Sequence, residues 1–291
     1  IVMRVLVTGG TGFLGRRVIP LLAQHDLLCI SRHPERLPNI PRVNAVVSDL
    51  LTDDDWITKV AEFRPEWCFH LAWEGLPDYS LERCRLNLDS SLRLLDVLAQ
   101  SGLKRIVIAG TCWEYGCASG LVTEDQHPID VDLFAATKAS LLGVLDSVAR
   151  SAGFEYQWAR IFFVYGPGQR LTSLLPSLRH AYVSGVDPDI RTPETLQDFI
   201  HVDDVATGLV ALASSEVQSG VFNVGSGYPT SVAQVANIAA DYYNRAKPFM
   251  DISNGAGFWS STEKIMSTTG WRPRIGIDEG IVSTLKILDG C

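Results

Sequence analysis

The stretch that decides the fold is VLVTGGTGFLGRRVI, residues 5–19 of a 291-residue chain. Its first four residues are apolar or β-branched and predict a strand, and the amphipathic run that starts at Leu14 predicts a helix. Gly9, Gly12 and Gly15 recur at every third position between the two. Glycine permits a tight turn and lets a helix approach a strand closely, so the stretch predicts a strand–turn–helix unit.

The same three glycines predict a dinucleotide-binding site. A turn of this kind presents backbone N–H groups to a pyrophosphate, and Gly12 leaves room for the phosphates to approach. We assign Phe13 and Leu14, which follow on the loop, to the same site. A glycine turn with no ligand is the alternative, but the placement of the motif after the first strand and before a helix favours a dinucleotide.

Short apolar runs alternate with helix-length stretches through the first half of the chain. We predict strands at residues 5–8, 27–30, 45–47, 67–71, 106–109 and 155–163, and helices at 14–23, 53–63, 81–101 and 134–151. Strands that are apolar on both faces are typical of a parallel sheet covered by helices. We therefore predict an α/β fold, a doubly wound parallel-sheet Rossmann domain with a smaller mixed α/β substrate lobe.

The alternation stops near residue 167, where proline, glycine and polar residues become frequent. A helix and a strand then return in the stretch 199–225. We predict a dinucleotide-binding domain at residues 1–166 with a return segment at 199–225. The substrate lobe is predicted to comprise residues 167–198 and 226–291.

The composition argues against several classes of partner. The net charge is -8 with no basic stripe, so nucleic acid is not expected. No apolar run reaches 18 residues, so no membrane span is expected. Six cysteines occur without a C-x-x-C pair, which disfavours a metal site or a disulfide framework and favours the reducing cytoplasm.

The residues after the second predicted strand bear on the identity of the dinucleotide. An acidic residue at this place binds the ribose 2′-hydroxyl of NAD, but the sequence has Ser31 and Arg32, followed by Arg36. A hydroxyl and a guanidinium suit a 2′-phosphate, which favours NADP over NAD. The alternative is that Arg32 is a solvated surface residue.

Five segments together carry a family resemblance. They are HLAW (70–73), GTCWEYG (110–116), FAATK (134–138), RIFFVYGPGQ (160–169) and QDFIHVDDVATGL (197–209). With the glycine loop, they make the chain resemble the extended short-chain dehydrogenase/reductase family. More narrowly, it is similar to the nucleotide-sugar epimerase, dehydratase and 4-ketoreductase branch of that family.

The resemblance implies a role for each matching residue. Thr111 matches the catalytic Ser/Thr, and Lys138 would bind the nicotinamide ribose and lower the pKa of the family's catalytic Tyr. That Tyr position is Phe134. The resemblance also implies that Asp49 and Leu50 lie by the adenine and that Leu71, Ala72 and Trp73 line the cofactor site. It implies that Asn87 holds the backbone of the active site.

Phe134 keeps the ring and lacks the proton, and three explanations are open. In the first, Phe134 is an introduced change from Tyr. In the second, Phe134 is natural and another group donates the proton. In the third, the protein binds its ligand without catalysis. Tyr115, Glu114, Cys112 or a water is the candidate donor in the second case. Because every other element of the site matches the family, we favour an introduced change that impairs turnover.

The substrate side departs from the family pattern. The family commonly has diphosphate-binding arginines where this chain has Gln197 and the arginine-free region 251–264. Arg170, Arg179 and Arg191 remain as candidates for the diphosphate. Trp73, Trp113 and Glu114 flank the reaction centre and are candidates for contacts to the sugar.

Taken with the predicted NADP preference, the resemblance favours a 4-keto-6-deoxysugar reductase. A nucleotide-sugar 4-epimerase or a non-catalytic NADP-binding protein is the alternative. A dehydratase is disfavoured because Cys112 and Trp113 stand where that branch typically has Asp and Glu. The resemblance also implies a homodimer through helices 81–101 and 134–151.

Overall fold

The computed structural model describes residues 1–250 and 255–290. The strands are β1 (Arg4–Thr8), β2 (Asp26–Ser31), β3 (Val43–Val47), β4 (Trp67–His70), β5 (Arg105–Thr111), β6 (Gly120–Val122), β7 (Glu155–Ile161), β8 (Phe163–Tyr165), β9 (Leu196–Gln197), β10 (Phe199–His201), β11 (Gly220–Val224), β12 (Thr230–Ser231) and β13 (Gly257–Ser260). The helices are α1 (Gly15–Leu21), α2 (Asp55–Phe63), α3 (Leu81–Ala99), α4 (Leu133–Ala152), α5 (Leu174–Ser184), α6 (Val202–Ser214), α7 (Val232–Tyr242), α8 (Glu263–Thr269) and α9 (Ile277–Leu288).

Seven parallel strands form the main sheet, in the order β11-β7-β5-β4-β1-β2-β3. Successive residues of β1 point to opposite faces, so Val5 and Val7 pack with α1 and α6 whereas Leu6 packs with α2, α3 and α4. All three side chains are fully buried. The predicted doubly wound α/β fold is confirmed.

One predicted strand is wrong. The apolar run 155–163 is two strands, because β7 ends at Ile161 and β8 begins at Phe163 in a different sheet. Between them, Phe162 turns into a small core with Cys112, Tyr115 and Val122. The sequence does not reveal this change of sheet, since Phe162 and Phe163 continue the strand-like pattern with no glycine or proline between the two strands.

The later chain forms a core of its own. Helices α5, α7 and α9 pack together through apolar residues that include Leu178, Val235 and Ile281. Beside them, β8 and β10 form a two-stranded sheet. A separate four-stranded sheet has the order β12-β9-β13-β6. In the described residues, no helix is both long and apolar enough to cross a membrane.

Candidate active site

A cavity of about 690 Å³ opens where the carboxyl ends of β1, β4 and β5 meet. The glycine loop after β1 lines one part of it through Gly9, Gly12, Phe13, Leu14 and Gly15. The end of β5 and the first turns of α4 line another part through Thr111, Phe134 and Lys138. The ligand site of an open α/β sheet is expected at this edge.

The glycine loop has a shape that side chains would prevent. Gly9 has φ 71°, and a Cβ there would lie 2.7 Å from the backbone nitrogen of Ala72. A Cβ on Gly15 would overlap the carbonyl oxygen of Gly9. The Gly12 N–H donates to that same oxygen at 2.9 Å. The glycine loop therefore lies close to α1 and to the end of β4, and its backbone forms a concave surface of the kind that binds a pyrophosphate. These residues fit a dinucleotide.

A smaller pocket of about 160 Å³ adjoins the main cavity, and Gly9, Gly12, Leu71 and Trp73 line both. Its other walls include five residues that the sequence assigned to cofactor binding, Ser31, Arg32, Asp49, Leu50 and Ala72. The two spaces are therefore continuous at the glycine loop, which is the arrangement that a two-part ligand such as a dinucleotide requires.

Arg32 is engaged by two carboxylates. Its Nη2 donates to Glu74 Oε1 at 2.6 Å, and its Nη1 lies 3.6 Å from Asp49 Oδ2. Glu74 lines the same small pocket. Asn87 fixes the backbone of Glu74, because its Oδ1 accepts from the Glu74 N–H at 2.7 Å and its Nδ2 donates to the Glu74 carbonyl at 3.0 Å.

The start of α4 places Phe134 and Lys138 in the cavity wall. Asp132 caps the helix by accepting from the Ala135 N–H at 2.8 Å, and residues four apart then share a helix face. Lys138 is buried, donates from Nζ to the Ala109 carbonyl at 2.8 Å and lies 4.0 Å from the Trp73 ring centroid. Burial lowers the pKa of Lys138 to about 7, against an opposing contribution from Glu114.

An aromatic cluster, which we define as Trp73, Tyr79, Trp113 and Phe134, surrounds the Phe134 position. The ring centroids of Trp73, Tyr79 and Trp113 lie 5.3, 5.2 and 6.0 Å from that of Phe134. All four residues line the cavity. The place where the family has a phenol is therefore packed with rings, and Phe134 is only 7% exposed.

Glu114 does not face the cavity, contrary to its assignment as a substrate contact or proton donor. It is fully buried behind β5, and its Oε2 pairs with Arg160 Nε at 3.0 Å. Its Oε1 accepts from Trp158 Nε1 and from the Thr111 N–H, both at 2.9 Å. Every oxygen of this carboxylate is bonded within the core, so Glu114 positions Thr111 and touches no substrate.

Tyr115 is also unavailable as a proton donor. Its ring is fully buried, and its hydroxyl donates to Asn223 Oδ1 at 2.6 Å. Cys112 lines the cavity, but burial raises the pKa of its thiol well above the usual value.

The candidate arginines lie in different places. Arg170 lines the cavity together with Gln197. Arg191 is exposed and does not line it, so the structure does not support its assignment as a substrate residue. Arg179 pairs with Asp289 at 2.6 Å instead of facing the cavity. Residues 251–254 of the arginine-free region lie outside the described residues.

Sequence reasoning missed Tyr79, Glu74 and the apolar far wall of the cavity. That wall comes from α5, α7 and α9 through Leu174, Leu175, Val235, Ile277 and Ile281. No motif marks these residues, because their positions depend on how the later helices pack. The Glu114–Arg160 pair did leave a signal, since a lone Arg inside the apolar run WARIFF needs a buried partner.

Comparisons with known proteins agree with this fold. The model of the NAD dependent epimerase/dehydratase family matches residues 5–225. A dTDP-L-rhamnose 4-epimerase from Burkholderia thailandensis is 25% identical, with 96% of this chain and 93% of that protein covered. A dTDP-4-dehydro-6-deoxyglucose reductase from Escherichia coli is 24% identical, with 96% of this chain and 96% of that protein covered. The structure of MoeE5 in complex with UDP-glucuronic acid and NAD has a TM-score of 0.87 at 27% identity, with 99% of both chains covered.

Proposed function

Because the chain belongs to the NAD-dependent epimerase/dehydratase family, we propose that it is an oxidoreductase acting on a nucleotide-linked sugar. One observation carries the proposal: the glycine loop, Thr111, Phe134 and Lys138 line a single cavity. When bound, the nicotinamide dinucleotide supplies or accepts a hydride. Lys138 would hold the nicotinamide ribose, and Thr111 would hydrogen-bond the sugar oxygen.

We propose NAD as the cofactor in place of the NADP favoured by the sequence. Arg32 is already neutralised by Glu74 and Asp49, and these carboxylates would repel a 2′-phosphate. Glu74 supplies the acidic group that is absent at the end of β2, and its carboxylate would accept from the ribose hydroxyls. The NAD in the MoeE5 complex supports this choice.

Binding assays test the cofactor preference. We expect NAD⁺ to bind at least about tenfold more tightly than NADP⁺, a difference of about 1.4 kcal/mol. Glu74→Gln removes one repelling carboxylate and frees Arg32, so it should narrow this ratio several-fold. Glu62→Gln is the matched control, because Glu62 pairs with Lys59 on the surface of α2, outside the pocket, and should leave the ratio unchanged. Tighter binding of NADP⁺ by the unmodified chain would reverse the assignment.

Taken as the natural residue instead of an introduced change, Phe134 favours a reductase over an epimerase. An epimerase starts by oxidising an alcohol, and at neutral pH that hydroxyl has to lose a proton to a base as the hydride leaves. Reduction of a ketone needs only a proton for the oxygen, which a weak acid or water can deliver. We therefore keep a 4-keto-6-deoxysugar reductase as the first candidate, supported by the E. coli relative. A 4-epimerase is the second candidate, favoured by the proposed NAD, since an epimerase does not need to exchange its cofactor.

Arg170 is the proposed anchor for the diphosphate of the substrate. Among the described residues that line the cavity, Arg170 and Lys138 are the only charged ones, and Lys138 is assigned to the ribose. Arg170→Gln should therefore raise the Kd for a dTDP-linked or UDP-linked sugar at least about tenfold, because a charge-assisted hydrogen bond is lost. Arg191→Gln, which removes an exposed arginine away from the cavity, should leave the Kd within about twofold. Equal effects of the two variants in calorimetric titration would show that Arg170 has no special role.

Two further proposals concern organisation. We propose that the dinucleotide domain (1–166 with 199–225) and the substrate lobe (167–198 with 226–291) bind the cofactor and the substrate from opposite sides of the cavity.

We also propose a homodimer through α3 and α4. Leu133 and Val144 of α4 are 43% and 40% exposed, and such apolar residues on a helix that also packs against α3 support a partner there.

A further inference from the structure

A phenol with a free hydroxyl lies against the ring of Phe134. The Tyr79 ring centroid is 5.2 Å from that of Phe134 and 5.4 Å from that of Trp113, and Tyr79 lines the cavity. Among the described residues, no hydrogen bond involves the Tyr79 hydroxyl; only the Tyr79 carbonyl is used, as the acceptor for the Cys84 thiol. This loop therefore brings a phenol ring against the ring of Phe134, which has no hydroxyl.

The other phenols near the site and the Cys112 thiol are poor candidates for the proton donor, because each is hydrogen-bonded elsewhere or buried. The Tyr115 hydroxyl is bonded to Asn223, and the Cys112 thiol has a raised pKa. Tyr165 also lines the cavity, but its hydroxyl is buried close to Gly280 in the far wall, and burial raises its pKa. Tyr79 is half-buried between two exposed residues, so water can return a proton to it.

Two other groups at the centre have different tasks. The Thr111 hydroxyl accepts from the Trp113 N–H at 3.3 Å and is a far weaker acid than a phenol. The Lys138 ammonium donates to the Ala109 carbonyl and lies over the Trp73 ring, 6.0 Å from the Phe134 ring centroid. Tyr79 is the phenol that remains in contact with Phe134.

We propose that Tyr79 is the catalytic acid of this chain, replacing the phenol that Phe134 lacks. The inference rests on the proposed ketone-reducing function. A reduced nicotinamide dinucleotide is the hydride source. As the new C–H bond forms, the electron pair of the C=O π bond moves to oxygen, and that oxygen takes the proton from Tyr79 Oη. Tyr79 is left as a phenolate, which water then protonates.

A double-mutant cycle between Tyr79→Phe and Phe134→Tyr tests the proposal. The assay follows NADH absorbance with dTDP-4-dehydro-6-deoxyglucose in the full-length protein. Tyr79→Phe keeps the ring packing and should lower the rate of the otherwise unmodified chain at least about tenfold. In the Phe134→Tyr background the same change should cost less than about threefold, because the restored phenol supplies the proton. Calorimetry should show sugar-nucleotide binding within about threefold of the unmodified chain, and Tyr228→Phe, an exposed tyrosine away from the cavity, should have no effect.

Each other result overturns the proposal. An unchanged rate for Tyr79→Phe, with Phe134→Tyr active, would leave the proposed function standing and assign the proton to Lys138 or water. If Tyr79→Phe lowered the reduction rate equally with and without Phe134→Tyr, Tyr79 would only shape the pocket. The same would follow if it weakened sugar-nucleotide binding as much as it lowered the rate. If no variant consumes NADH with this or any UDP-linked or dTDP-linked keto sugar, the proposed ketone-reducing function fails, and the role of Tyr79 fails with it.

Discussion

Phe134→Tyr is expected to raise the turnover of the chain about a hundredfold. A positioned general acid contributes about 10²–10⁴ in rate, and the lower end applies because Tyr79 already supplies part of this effect. The new phenol would stand four residues before Lys138, whose ammonium stabilises phenolate and so lowers the phenol pKa. Initial rates of NADH oxidation with dTDP-4-dehydro-6-deoxyglucose measure the change.

The control for this substitution is a second Phe-to-Tyr change, at a different position in the wall of the same cavity. Phe163 also lines the cavity, but its ring contacts are with Phe199 and Phe258 and not with Phe134, so Phe163→Tyr should leave turnover within about threefold. A gain of less than about tenfold for Phe134→Tyr would contradict the view that Tyr79 replaces the missing phenol only in part.

Glu114→Gln is expected to cost about 3–5 kcal/mol in the free energy of unfolding. The change keeps the shape of the side chain but leaves the Arg160 guanidinium buried without its counter-charge. It also weakens the acceptor for Trp158 and for the Thr111 N–H. Urea denaturation at neutral pH measures the loss.

The control for the ion pair is an exposed carboxylate. Glu62→Gln removes the surface partner of Lys59 and should change the free energy of unfolding by less than about 0.5 kcal/mol. Replacing both Glu114 and Arg160 with methionine should recover part of the loss, because no unpaired charge then stays buried. A cost below about 1 kcal/mol for Glu114→Gln would show that water or another group compensates Arg160.

Local patterns predicted the first half of the fold and the centre of the site. The glycine spacing, the apolar strands and the pair Thr111 and Lys138 are encoded in short segments, and the structure places them around one cavity. Segments far apart in sequence were harder to judge. Glu114 was misassigned because its partner Arg160 is 46 residues away. The contact between Arg32 and Glu74, on which the proposal of NAD rests, joins residues 42 positions apart.

Tyr79 illustrates the same limit. Its loop follows β4, and the sequence does not show that the loop turns its ring onto α4 beside Phe134. The apolar far wall likewise requires the packing of α5, α7 and α9. Charge pairs, ring contacts and cavity walls are formed by residues that are far apart in the sequence and close in space. A single sequence does not show which of its segments come close together.

Calorimetric titration of the unmodified chain with NAD⁺ tests most directly whether this cavity is a dinucleotide site. We expect one NAD⁺ per chain, and a Kd at least about tenfold weaker for Gly9→Ala, because the added Cβ would lie 2.7 Å from the backbone nitrogen of Ala72. Gly143→Ala, on the open side of α4 where an added Cβ meets nothing, is the control and should bind as the unmodified chain does. Absence of NAD⁺ binding by the unmodified chain, or equal binding by Gly9→Ala, would contradict the assignment of the site.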